Sequence, residues 1–313
     1  MKTQRAFLAR LSALLSICLL CALAIFDTLQ NPDGITVSLL RATHAVTPRP
    51  SIFGSFHLTM LGLFIALVVL LLLLRHKIDG KHLDSIVFVC GLVLLVMEVY
   101  KQLYWWAILG NGHYNFGILP LQFCSYALYL FLLIPLLPEG RVKDALYAFC
   151  ALYQTMGGCI VMAYPMLYTQ VALSYHTMIW HTLMIGVGVL ILCKRSYGKR
   201  FLREMLPTAA VFLLTMAVAT AGNLWLTPYA ALSPQPLNLF YMSPYQTNSY
   251  ILISDVRNAF GWFPSLLCYA MLFVCVGATV MWGLGRAVWL WDRHNSAKRD
   301  KGALDDGFLR EKR

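Results

Sequence analysis

Eight stretches of this chain are each long and apolar enough to cross a hydrocarbon layer, and that pattern restricts the chain to a bundle of membrane helices. They run at roughly 6–26, 55–74, 84–106, 119–137, 144–165, 176–193, 206–226 and 263–290. A spanning helix needs about 20 mostly apolar residues, and an open strand could not satisfy its backbone polar groups in lipid. A hydrophobic content of 59%, only 12% charged residues and a mean hydropathy of +0.65 exclude an ordinary soluble domain. The expected fold is therefore an all-α, polytopic transmembrane helix bundle of about eight spans. The first run follows Lys2, Arg5 and Arg10 in the manner of a signal peptide. A retained helix is expected, since an uncleaved first helix makes the number of spans even.

The basic residues orient the bundle. Lys2, Arg5 and Arg10, then Arg75, Lys77 and Lys81, Arg141 and Lys143, and Lys194, Arg195, Lys199, Arg200 and Arg203 fall at alternate span ends. Arg286, Arg293, Lys298, Arg299, Lys301, Arg310, Lys312 and Arg313 complete that set. The opposite loops hold only Arg41, Arg49 and Arg257. Basic loops stay in the cytoplasm, so both termini are expected there. The net charge of +11 then needs no nucleic acid. It is a skirt for anionic lipid head groups on the cytoplasmic side.

The nine cysteines lie in apolar runs, and only Cys18 and Cys21 are closely spaced. This is neither a disulfide framework nor a metal site, and no nucleotide motif is present, so no cofactor is expected. No internal repeat supports an inverted-repeat transporter. Residues 1–54 read as an extra span with an outer loop, 55–290 as the transmembrane core, and 291–313 as a charged, mobile cytoplasmic tail. The long connection at roughly 227–262 is aromatic rather than charged, and is expected to lie on the membrane as a lid.

Several residues that lipid disfavours share one shallow outer layer. They are His57, Glu98, Lys101, Cys124, His181 and Asn223, and polar residues within spans usually face a bundle interior and mark function. Few polar residues are expected in the inner half. Cys124, in Leu119-Pro120-Leu121-Gln122-Phe123-Cys124, should lie five residues into its helix, roughly 7 Å deep at 1.5 Å per residue, with Pro120 in the first turn. At that depth the helix-terminal field is fading, so the thiol needs a base. Alone, Cys124 reads as an inert filler. With His181 it reads as an activated nucleophile that carries an acyl group, and Asn223 would orient the imidazole or donate to an oxyanion. Glu98 and Lys101, spaced i, i+3, read either as a structural pair with a snorkelling lysine or as groups that orient a histidine or meet a lipid head group. His176 reads as a boundary residue. Tyr104, Trp105, Trp106, Trp180, Trp225 and Trp262 read as an outer aromatic belt.

The fragments Glu98-Val99-Tyr100-Lys101, Leu119 to Cys124, Gly157-Gly158 with Pro165, His181, Gly222-Asn223, and Phe240-Tyr241-Met242-Ser243-Pro244-Tyr245 occur in this order. Together they resemble the YwaF-like integral membrane family, which includes the eukaryotic transmembrane protein 164, over roughly residues 55–285. The resemblance implies a membrane acyltransferase that moves fatty acyl chains between phospholipids and lysophospholipids. Cys124 would be its nucleophile and His181 the partner, while Tyr241 and Ser243 join as supporting residues. The androgen-induced hydrolases resemble the same plan with a threonine in place of the cysteine. Leu224-Trp225 departs from the tyrosine expected after Asn223. The expected partners are membrane phospholipids, and the expected location is a bacterial plasma membrane rather than an endoplasmic reticulum. A lipid ester hydrolase with the same site, or a non-catalytic transporter or lipid-binding protein, would use the same polar ring.

Overall fold

Long apolar runs become long helices, and their polar flanks become the turns between them. The computed structural model describes residues 2–75, 77–78, 80–195, 197, 200–231, 233–246 and 251–310. For residues 2, 3, 80, 81, 251, 288, 291, 292 and 294–310 it describes the backbone alone. Lys199, Lys312 and Arg313 lie outside the described residues. Helix α1 is Lys2–Gln30, α2 Ile35–Ala42, α3 Ser55–Leu74 and α4 Gly80–Tyr104, the last prolonged by a π turn at Trp105–Leu109. Helix α5 is Tyr126–Leu133. Helices α6 (Arg141–Phe149) and α7 (Thr155–Ala163) form one span through a π turn at Cys150–Gln154. Then come α8 Val171–Lys194, α9 Phe201–Leu226, α10 Ile251–Phe260 and α11 Trp262–Arg310.

Seven of the described helices are long and apolar enough to span, and an eighth apolar segment, Phe123–Leu136, is shorter. The α6–α7 and α8 spans are central, with 61% and 56% of their most apolar windows buried, whereas α1 and α3 face outward with 0% and 6%. Rings lock the central spans together. Tyr153 stacks on Phe212 at 4.9 Å, Phe212 on Phe273 at 5.7 Å, and Phe273 on Tyr269 at 4.5 Å, which ties α9 and α11 to the π turn.

The fourth span departs from expectation. Helix begins at a 3-10 turn, Phe123–Ser125, not at Leu119. Pro120 disfavours a helical Leu119, which sits at ψ 132, and Gln122 is extended at φ −67, ψ 155. Pro120 is thus not a first-turn residue, and Cys124 lies in the opening turn of a short helix rather than at its second turn. At the other end of the chain α11 runs unbroken through Arg310, so no helix end separates the tail from the last span. The long connection also differs from a surface lid. Leu239, Phe240, Met242 and Ser243 are buried, so this stretch plugs into the bundle because its apolar side chains find the core there.

Near the chain's basic residues, that half of the bundle holds more polar groups than expected. Asp84 accepts from Lys143 at 2.6 Å and from the Tyr147 hydroxyl at 2.5 Å, with Arg10 at 3.7 Å. Lys143, only 3% exposed, also pairs with Glu139 at 2.7 Å. Arg195 bonds to Glu139 and Asp144, and its guanidinium lies over the Tyr147 ring. Burial alone would raise the Glu139 carboxyl, but hydrogen bonds from Lys143 and Arg195 outweigh it and hold the group below its usual range.

Candidate functional site

The π turn on α4 follows a polar face that ends the helix. Glu98 is buried, and its two oxygens each lie 2.9 Å from the Lys101 ammonium. Gln102, one turn on, donates to Glu98 at 2.6 Å and to the Ile118 carbonyl at 2.9 Å. Spacings of i, i+3 and i, i+4 put all three on one face, so the pair is satisfied without leaving the protein. The Lys101 ammonium lies 5.9 Å from the centre of the Trp180 ring and within electrostatic reach of Cys124, His176 and His181.

Cys124 is held by its backbone. Trp180 donates its indole N–H to the Cys124 carbonyl at 3.2 Å, and Gln154, turned inward by the π turn, donates to the Phe123 carbonyl at 2.9 Å. Two glycines bring these elements into contact. A Cβ on Gly157 would lie 2.7 Å from the Phe123 ring, and one on Gly158 would lie 2.7 Å from Ile185 on α8. The Gly157-Gly158 pair is therefore the close approach by which the start of α5 and the middle of α8 meet across α7. The Cys124 side chain itself is partly exposed.

His181 sits on α8 one residue beyond Trp180. Its Nδ1 is 2.7 Å from the Thr177 carbonyl. A carbonyl only accepts, so Nδ1 carries the proton and Nε2 is left as a lone pair. That Nε2 is buried and has no hydrogen-bond partner. It is not bonded to the Cys124 thiol in this structure. His57 is the opposite case. Its Nδ1 accepts from the Phe53 N–H at 2.9 Å, so its Nε2 donates to the Met162 carbonyl at 2.8 Å. Both nitrogens are used, and His57 pins the start of α3 to the end of α7, among Met162 and its neighbours rather than beside Cys124. His176 is not a boundary residue. It bonds to the Met97 carbonyl at 3.2 Å and stacks on Trp180 at 5.4 Å. Trp180 and Tyr104 are buried and so do not belong to an interfacial belt.

The plug closes over this ground. Phe240 packs edge-on against Phe123 at 5.4 Å and Tyr126 at 5.7 Å. Phe240 and Tyr241 adopt left-handed backbone, φ 54 and 57, a conformation held only where surrounding contacts impose it. Those contacts are visible. Asn223 donates to the Leu239 carbonyl at 3.0 Å and accepts its N–H at 2.8 Å. Gln122 accepts from the Phe240 N–H at 3.1 Å. Arg257 donates to the carbonyls of Ser243, Pro244 and Gln246, and Trp262 to that of Met242. Ser243 is buried, with its N–H on Asn238 and its hydroxyl accepting from the Tyr245 N–H. Both ends of the Asn223 amide are thus taken up by the backbone of one residue, Leu239. Burial pushes the Tyr241 phenol above its usual range, and electrostatic interaction with Cys124 adds to this.

Glu98 and Lys101 therefore pair, with Cys124 and His181 both within electrostatic reach of that ammonium, while Asn223 and Ser243 brace the plug and His57 stands apart. Gln102 and Gln154 were not singled out from the sequence, and Gln122, Trp180 and Arg257 were read there only as a motif position, a belt ring and an outer-loop charge. Gln102 and Gln154 were findable as uncharged polar residues inside apolar runs. Two cavities, of about 460 and 390 Å³, lie elsewhere, one among basic residues of α6 and α9 and the other between mostly apolar residues of α9 and Leu266 of α11. Among the described residues no group of three or more His, Cys, Asp or Glu is placed to hold a metal ion.

Comparison with known proteins gives one result. The family model described as the TMEM164 family matches residues 52–282, which takes in α3 through α10, the first part of α11 and all of the polar layer. No curated protein and no solved structure matches the chain.

Proposed function

The chain belongs to the TMEM164 family, and from that premise we propose that it is a membrane acyltransferase working through an acyl-thioester on Cys124. The observation that carries this reading is the His181 imidazole, whose proton is fixed on Nδ1 and whose Nε2 lone pair is buried without a partner. An unsatisfied buried acceptor costs about 1–3 kcal/mol. An acceptor kept unsatisfied one residue beyond the Trp180 that holds the Cys124 carbonyl supports reading His181 as the base for proton transfer.

His181 Nε2 takes the Cys124 proton, and the thiolate attacks the ester carbonyl of a phospholipid. The oxyanion is met by the N–H groups of Phe123 and Cys124 that open the turn, since that of Ser125 already donates to the Gln122 carbonyl. Asn223 is a positioning residue for the plug, since its amide is already engaged. The tetrahedral species collapses with loss of the lysophospholipid alkoxide, which takes the proton back from His181. In the second half His181 deprotonates an acceptor hydroxyl, which attacks the thioester and releases the Cys124 thiol. The missing Cys–His hydrogen bond fits a pair that tightens only around substrate. The Lys101 ammonium supplies positive potential for the donor phosphate, and Glu98 and Gln102 hold it. In this reading the basic face lies in the cytoplasm, by the bias of Lys and Arg, and the chemistry in the outer leaflet half.

The test is to incubate purified protein in vesicles with a phospholipid carrying a labelled acyl chain, then treat with neutral hydroxylamine. A hydroxylamine-labile label on Cys124, absent in Cys124→Ser and reduced about 100-fold or more in His181→Gln, supports the reading. A label that persists in both variants overturns it.

A further inference from the structure

The 460 Å³ cavity at the basic face has no part in the chemistry above, and its lining is unusual for a membrane protein's edge. It lies between α6 and the start of α9 and presents Arg141, Arg200 and Arg203. Among the described residues none of these guanidinium groups is ion-paired, because the nearby acids are engaged elsewhere. Asp144 is held by Arg195, and Glu204 accepts from the Arg200 backbone N–H. Tyr197 also lines the cavity. It is 8% exposed, and its buried hydroxyl has no hydrogen-bond partner. Burial pushes that hydroxyl above its usual range, which keeps it a donor. Helix α9 opens at Arg200 without a side-chain cap, so its positive end also faces this ground.

The other wall is apolar. Leu202 and Leu206 line the cavity and are 68% and 67% exposed on the surface of a spanning helix. A soluble anion would use the donors and leave the leucines bare. A ligand with a phosphate ester at one end and hydrocarbon at the other would use both.

We propose that this cavity is a binding site for the head group of an anionic phospholipid from the leaflet at the basic face. The phosphate would meet Arg141, Arg200, Arg203 and the Tyr197 hydroxyl, and its acyl chains would run along Leu202 and Leu206. The site is separate from Cys124 and binds without turnover. It differs from a diffuse basic skirt because it depends on four named donors and not on charge alone.

The full-length protein in nanodiscs tests this, with retained lipid counted by native mass spectrometry. Phosphatidylglycerol should be retained over phosphatidylcholine. Arg141→Gln with Arg203→Gln should cut that retention at least about tenfold, and Tyr197→Phe should reduce it several-fold without changing the melting temperature. Arg286→Gln, which removes a basic-face charge set among Trp282 and Trp289, should leave retention unchanged. Equal loss in Arg286→Gln, or equal retention of phosphatidylcholine, overturns the proposal. Millimolar glycerol phosphate that displaces the lipid fully would make this a site for soluble phosphate esters and would likewise overturn it. Should the Arg141/Arg203 variant fail to fold, Tyr197→Phe alone decides, since the proposal requires its retention to fall.

Discussion

Two regions of this bundle bury polar groups, and they do so in opposite ways. At the basic face Asp84, Lys143, Tyr147, Glu139 and Arg195 form a closed network in which each group meets an opposite charge or a hydrogen-bond partner. At the other end Glu98 and Lys101 are matched to each other, but the Gln102 amide oxygen and His181 Nε2 are left as unpartnered acceptors. Burial of a polar group is thus not itself a mark of chemistry. A closed network fixes helices, and an incomplete one leaves a group free to act.

The largest effect on stability should come from breaking the closed network. Asp84→Leu strands the buried Lys143 with only the exposed Glu139, and should cost about 3 kcal/mol, read as a lowered melting temperature in detergent. The double variant Asp84→Leu with Lys143→Met should recover part of this loss, because a buried pair replaced whole by apolar groups is often neutral.

The two buried histidines sharpen the comparison next. His57→Ala leaves the Phe53 N–H and the Met162 carbonyl unpaired and should cost about 2 kcal/mol, with acyl labelling of Cys124 retained. His181→Gln should move the melting temperature far less and abolish labelling. A result in which His57→Ala stops labelling and His181→Gln does not would reverse the assignment.

Asn223→Ala tests the plug. Losing two bonds to Leu239 should cost about 1–2 kcal/mol and appear as faster proteolysis between residues 238 and 246. The smallest effect concerns pH. Glu139 is held below its ordinary value in the fold, so its contribution is fully present above the unfolded carboxyl range, near pH 4.3. It is lost as pH falls through the lower folded value. Since Glu139 is largely exposed, the melting temperature of Glu139→Gln should differ from that of the unsubstituted protein only slightly at neutral pH, and not at all in strong acid.

The spans were legible because a run of 20 apolar residues has few structural choices. The Glu98–Lys101 pair was legible from i, i+3 spacing alone, and Gly157-Gly158 from its small size. The late start of the fourth helix was not, because Pro120 suits a first helical turn as well as a break, and the extended Gln122 that decides between them is held by Phe240, more than a hundred residues away. The plug misled for the same reason. An aromatic loop can lie on lipid or in a core, and only the Asn223, Gln122 and Arg257 contacts select the core. Asp84 escaped notice because nothing local marks its partners, Lys143 and Tyr147, which arrive from another span. Which histidine nitrogen lacks a partner is likewise a property of tertiary contacts.

The central claim is that His181 Nε2 takes the proton of Cys124. The most direct measurement is the rate at which a lipid-soluble maleimide alkylates a variant retaining Cys124 as its one cysteine, with and without His181→Gln. The account predicts that His181→Gln slows alkylation at least about tenfold while His57→Ala leaves it unchanged. Equal rates with and without His181 would contradict it.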